Sequence, residues 1–291
     1  MSQMKIGLIP VNMAVTDVRQ MVAAAVKAEA IGIESLWTFE HVMIPVDYQS
    51  RYPYSPNGKM GAPPETNLVD PLIALAAIAA STQKVRLGTG VNILSQTNPL
   101  YMAKQAASLD FVSNGRFMLG VGIGWLREEF DALGAPFERR GARFDDYVQA
   151  MRKVWSGEVV EHQSEFLSWS GFKSYPIPVQ RPGVPIIIGG SKGKAFERIA
   201  KYGDGWYAPT GNVQQLGELI GELRKACAKV GRDLKTVEIS AMWVPAAEGI
   251  DAVKRYAELG VQRLIVPTFA IGGSSNDSLD RFRDEVLAKI A

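Results

Sequence analysis

Short apolar runs alternate with longer stretches of helical spacing from one end of the chain to the other. Runs near 5–9, 34–38, 85–91, 116–121, 185–189, 205–208, 236–243 and 261–266 read as buried strands. Between them, the apolar spacing predicts helices over 16–31, 69–82, 99–112, 126–133 with 141–156, 192–202, 213–229, 250–259 and 277–290. Eight strands, each followed by a helix, is the repeat of an α/β fold closed into a (β/α)8 TIM barrel. No Pro/Ser-rich linker or low-complexity segment divides residues 1–291, so a single domain is expected.

Two insertions interrupt this rhythm. Residues 42–66 carry Tyr48, Tyr52 and Tyr54 among prolines and glycines, and are too long for an ordinary connection. They follow the second strand, on the side of a barrel where active sites are built, and so predict a lid. Residues 157–180 contain Val159-Val160-Glu161-His162 and Glu165-Phe166-Leu167-Ser168-Trp169, the pattern of a hairpin. That insertion follows a helix, and its position relative to the mouth stays open.

The densest chemical signal is Gly115-Arg116-Phe117-Met118-Leu119-Gly120-Val121-Gly122-Ile123-Gly124-Trp125. A buried run empties into glycines that let a ligand approach the backbone, and the polar helix start Leu126-Arg127-Glu128-Glu129-Phe130 follows at once. A dinucleotide fingerprint needs Gly-x-Gly-x-x-Gly at the first strand–helix turn. Here the spacing is Gly-x-Gly-x-Gly, Trp125 stands where the last glycine belongs, and several units precede it. A tight turn without a ligand is the plainer alternative.

Two other strand ends carry related signals. Leu87-Gly88-Thr89-Gly90-Val91-Asn92 places two glycines in a strand, which means a bulge, a close ligand or barrel curvature. Ile188-Gly189-Gly190-Ser191-Lys192-Gly193-Lys194 turns into a helix, and its backbone N–H groups, serine and lysines suit a phosphate. His41 closes the second strand, and imidazole transfers protons near neutral pH; a structural histidine is also common there. Glu40 beside it either orients it or meets a cofactor. His162 reads as packed or solvated. The basic run Glu138-Arg139-Arg140-Gly141-Ala142-Arg143 reads as a solvated, salt-bridged face, with an anionic tail as the alternative partner.

Composition narrows the classes. The 291 residues are 47% apolar and 21% charged with a net charge of +2, an ordinary globular balance that argues against a nucleic-acid partner. One cysteine, Cys227, forms no internal disulfide. Two histidines and one cysteine leave too few soft ligands for a zinc site, so no metal is expected. The most apolar stretch, 71–80, is too short to span a bilayer, and the first residues carry no signal-peptide pattern. A cytoplasmic protein with no membrane partner is expected.

In sequence order, several longer motifs combine. Asn98-Pro99, Ala103-Lys104-Gln105-Ala106-Ala107-Ser108-Leu109-Asp110, Ser113-Asn114-Gly115-Arg116-Phe117 and the glycine loop resemble the luciferase-like monooxygenase superfamily. So do Pro178-Val179-Gln180-Arg181-Pro182, Pro185-Ile186-Ile187-Ile188-Gly189-Gly190-Ser191 and Tyr202-Gly203-Asp204-Gly205-Trp206. The likeness spans roughly residues 5–270 and is greatest to the branch that uses the deazaflavin coenzyme F420. It implies a bacterial-luciferase-like barrel, usually a homodimer, acting on a small molecule.

By that resemblance Gly90-Val91, with Asn92, matches a strand-three bulge whose non-proline cis peptide supports the cofactor ring. Gly122, Ile123, Gly124 and Trp125 would lie along the cofactor, and Gly189, Gly190, Ser191, Lys192 and Gly193 would cradle its phosphate. His41 matches a histidine beside the ring. In the sugar-phosphate dehydrogenase branch a proton-donating glutamate occupies the position that is Trp125 here. That departure argues against sugar-phosphate oxidation and for an apolar or unsaturated substrate. The resemblance leaves FMN open as the cofactor, in a two-component monooxygenase served by a flavin reductase. A cofactor-binding protein without turnover is the third reading.

Overall fold

The structure is a computed structural model and describes residues 3–290. Eight parallel strands follow one another around a closed barrel: β1 (Lys5–Ile9), β2 (Ser35–Thr38), β3 (Arg86–Thr89), β4 (Phe117–Gly122), β5 (Ile186–Gly189), β6 (Gly205–Ala208), β7 (Glu238–Met242) and β8 (Arg263–Pro267). Each pairs with its neighbour in sequence order; β3 meets β4 at Leu87–Phe117, and β8 returns to β1 at Arg263–Lys5. The fold is a (β/α)8 TIM barrel. Among the described residues no helix is long and apolar enough to cross a membrane.

Helix starts follow local rules. α1 (Val18–Ala30) is capped by Asp17, α2 (Pro71–Ser81) by Asp70 and α3 (Pro99–Val112) by Asn98. Each cap side chain accepts backbone N–H bonds, and proline at the first position of α2 and α3 gives up no hydrogen bond there. α4 (Arg127–Ala132) and α5 (Arg140–Val154) follow β4, and α6 (Ala195–Tyr202) follows β5.

The barrel is filled, not hollow. Trp37 is fully buried among Ile9, Met118, Ile187, Tyr207 and Ile265. Its indole needs small neighbours: a Cβ on Gly88 would lie 2.4 Å from the ring. Below it Arg263, also fully buried, donates to Glu34 at 2.7 and 2.9 Å and to Ser240 at 3.1 Å, and pairs with Glu238. Burial opposes ionisation of Glu238, but Arg263 and Lys5 hold its carboxyl at about 2. The end opposite the strand C-termini is thus closed by a satisfied charge cluster.

Three boundaries differ from expectation. The third strand stops at Thr89; the chain resumes pairing at Asn92–Ile93, against Val121 and Gly122. The interruption is Gly90–Val91, whose peptide is cis, as the resemblance implies. The helix expected from residue 192 starts at Ala195, because Gly190 and Gly193 take φ of +108° and +59°. The last helix, expected over 277–290, is α-helical over Asn276–Phe282 and widens to π geometry at Arg283–Leu287. The hairpin pairs Val160–Gln163 with Ser168–Phe172 and is tied to α5 by His162 Nε2, 2.8 Å from Asp146.

Candidate active site

The C-terminal ends of β2 to β6 converge on one floor. Gly90 N donates to Thr38 O at 2.8 Å, and Thr89 Oγ1 donates to Gly120 O at 2.7 Å. A Cβ on Gly120 would sit 1.7 Å from Thr89 O, so glycine is required for the two strands to approach. Val91 lies between the missing side chains of Gly122 and Gly189, 2.9 and 3.1 Å from where their Cβ atoms would be. A Cβ on Gly90 would meet Ile9 and Tyr207. Glycines at three strand ends thus leave room for the side chains of Val91, Ile9 and Tyr207 to pack across the floor.

Beside this floor, Glu40 is 8% exposed and its two oxygens accept from Asn92 Nδ2, at 2.8 Å, and from Ile93 N. Burial raises its pKa to about 8, and the charges of Glu129 and Asp70 add to this against the pull of the Ile93 and Asn92 donors. Glu40 is therefore the anchor of the segment after the bulge. The carboxylate on His41 is a different one: Nδ1 lies 2.8 Å from Glu129 Oε2, with the two side chains 2% and 1% exposed. Glu129 Oε1 accepts from Val42 N at 2.6 Å and Met43 N at 3.4 Å.

Trp125 forms the wall. Gly124 before it has φ +78°, and a Cβ there would strike Phe130 and Ile93. The indole meets His41, Tyr48 and Tyr52 edge-to-face at 5.9, 5.7 and 5.1 Å. Part of the 42–66 insertion lies against this end through Tyr48 and Tyr52. Glu128 Oε1 accepts from Gln49 N at 2.7 Å and Ser50 N at 3.1 Å, and Ser50 Oγ accepts from Arg127 N. Those hydrogen bonds outweigh desolvation and hold Glu128 at about 2. Burial pushes the phenol of Tyr52 up to about 12 and raises those of Tyr54 and Tyr207, so all three stay neutral.

At the strand-five end the helix begins beyond the glycines, at Ala195. Its N-cap is Lys194, without a side-chain bond, and Ser191 does not cap it. Gly190 O accepts from Trp206 Nε1 at 2.8 Å, and Lys192, Gly193 and Lys194 are exposed. The basic run divides. Arg139 pairs with Glu165 at the surface, whereas Arg140 donates to Gly124 O at 3.1 Å and buried Arg143 brackets Ser95 O at 2.9 Å. A solvated, salt-bridged face was expected; the correction is that Arg143 is buried and donates to the backbone carbonyls of Ser95, Glu138 and Pro136.

Sequence reasoning missed Glu129, Glu128 and Tyr207. The first two were legible only as an acidic helix start. Among the described residues, no three His, Cys, Asp or Glu side chains cluster to hold a metal.

The family description "Luciferase-like monooxygenase" matches residues 4–281. The chain belongs to that family. An uncharacterised family relative from Mycobacterium tuberculosis is 32% identical over 272 residues, covering 92% of this chain and 93% of the relative. The oxygenase component of a flavin-dependent trigonelline monooxygenase from Acinetobacter baylyi is 26% identical, over 76% of this chain and 56% of that protein. An F420-dependent secondary alcohol dehydrogenase, solved with an F420–acetone adduct, superposes with a TM-score of 0.77 at 17% identity, over 98% of this chain and 99% of that one. Luciferase-like proteins are thus oxidoreductases and monooxygenases on one barrel, with F420 and flavin users among the neighbours.

Proposed function

We propose that this protein is an F420-dependent oxidoreductase, moving a hydride between the deazaflavin and an apolar or unsaturated small molecule. The observation that carries the reading is the buried His41–Glu129 pair beside the Trp125 wall. Hydride transfer to or from a substrate carbon needs an accompanying proton on its heteroatom or neighbouring carbon, and a held imidazole is the side chain for it.

The residues fit the cofactor. Gly90, Gly122 and Gly189, which lack side chains around Val91, would hold the ring, and Asn92, Ile123, Gly124 and Trp125 would border it. Gly189, Gly190, Ser191, Lys192 and Gly193 would take the phosphate through backbone N–H groups, and exposed Lys192 and Lys194 suit the acidic tail. When bound, F420 supplies a two-electron hydride carrier. The chain's own residues would do the rest: Trp125, Tyr48 and Tyr52 wall out water, Val91 would support the ring, and His41 Nε2 holds or accepts the proton. Glu40 supports the floor and does not orient His41. A homodimer is part of the proposal.

The second reading is a two-component monooxygenase fed reduced FMN by a reductase; the named activity of the Acinetobacter baylyi relative favours it. Fluorescence-quenching titrations with oxidised F420 and, in parallel, FMN separate the two. Micromolar F420 binding with weak FMN binding is expected; the reverse preference overturns the proposal.

A further inference from the structure

We infer that Glu129 is the positioning residue of the site: it fixes the proton of neutral His41 on Nδ1 and leaves Nε2 as the bare, proton-accepting nitrogen. The inference rests on reading His41 as the proton-handling group of the proposed reaction. Three donors converge on one buried carboxylate. Oε1 is occupied by the N–H groups of Val42 and Met43, the first residues of the lid, and Oε2 faces His41 Nδ1 at 2.8 Å. A carboxylate can only accept, so Nδ1 must carry hydrogen. The two backbone donors also stop the carboxylate from turning away. Nε2 has no partner among the described residues, and it is not one of the sealed, unpartnered polar atoms.

His162 is built the opposite way. Its Nε2 lies 2.8 Å from Asp146 Oδ1, and its Nδ1 is sealed without a partner. The chain has only these two histidines, so the structure assigns opposite tautomers to its whole histidine complement. Each is the other's control.

The substitution Glu129→Gln gives a sharp test because it nearly preserves shape. The single amide oxygen must serve Val42 N–H and Met43 N–H, two donors against one. The NH2 group then faces His41 Nδ1, which must become the acceptor, and the proton moves to Nε2. An amide in place of a tautomer-setting carboxylate presents the wrong nitrogen.

The experiment is a long-range proton–nitrogen NMR spectrum of apo protein carrying 15N-histidine, recorded with both rings neutral. The wild type is expected to show one ring protonated on Nδ1 and the other on Nε2, with His162→Gln identifying the second. In Glu129→Gln both rings should report Nε2–H, the His162 pattern staying unchanged as proof of folding. A wild-type His41 protonated on Nε2 overturns the inference without any variant. So does an unchanged His41 pattern in Glu129→Gln. Failure of the wild type to bind F420 would defeat the proposed function and leave the tautomer result standing.

Discussion

Glu40→Gln should make the protein more stable at alkaline pH, and the size of the effect follows from where Glu40 sits. Buried and flanked by the charges of Glu129 and Asp70, Glu40 keeps its proton up to about 8, while in the unfolded chain it ionises at the ordinary 4.5. Between those values the native state holds a proton that the unfolded state has released, so stability falls as pH rises. At about 1.4 kcal/mol per pH unit, the loss is on the order of 5 kcal/mol by pH 8. Glu128 and Glu238 do not blur the window. Both are held at about 2, and their stabilisation is present above 4.5 and lost only on acidifying toward 2.

The geometry says what the retained proton does. Asn92 Oδ1 is buried without a partner, although Asn92 Nδ2 lies 2.8 Å from Glu40. Turning the Asn92 amide over brings Oδ1 to the same place, where it accepts the O–H of a neutral Glu40. The Ile93 N–H keeps the other oxygen. A glutamine at position 40 reproduces this pattern at every pH, donating its NH2 to Asn92 Oδ1 and accepting from Ile93. Urea unfolding followed by tryptophan fluorescence from pH 5.5 to 8.5 tests it. The variant should exceed wild type by only about 1.4 kcal/mol at pH 5.5 and by several kcal/mol at the alkaline end. Parallel stability curves would refute the reasoning, since they require Glu40 to be ionised in the folded protein.

Charge reversal of Lys192 and Lys194 together should weaken F420 by roughly tenfold or more at low salt and FMN by much less, with the gap closing as salt is added. Equal losses for both cofactors would remove the lysines from tail recognition. Light scattering of the purified protein should give twice the mass of the chain. The proposed dimer accords with Ile73, Tyr101 and Phe111, which stand 67%, 71% and 61% exposed on α2 and α3. A monomer mass would withdraw it.

The barrel was legible because its signals are local. Asp70-Pro71 and Asn98-Pro99 announce helix starts within four residues, and apolar runs mark strands that are buried on both faces. The long motifs were legible too, but the structure gives several of them a role away from chemistry. Buried Asp110 accepts from Gln180 N at 3.0 Å and from its side chain at 2.7 Å. Arg116 donates to carbonyls of Ala79, Thr82, Val85 and Ser113. Such residues satisfy backbone groups where a strand enters the barrel, so they identify a family without locating its site.

The site itself was half legible, and the missing half has one physical cause. A glycine reports its own backbone, so Gly90, Gly122 and Gly189 could be picked out one at a time, although only closure of the barrel shows that all three border Val91. A carboxylate reports nothing until its partner is known. Glu40 and Glu129 look alike in the sequence, and adjacency favoured Glu40 as the orienter of His41. Glu40 and His41 lie just past the end of β2, where neighbours in sequence take separate partners. Glu40 turns to Asn92, and the partner of His41 comes from 88 residues away, in the first turn of α4. The same turn presents Glu128 to the lid. Consecutive acidic residues at the foot of the glycine loop therefore secure the insertion and the His41 ring together, and displacing that turn should disturb both.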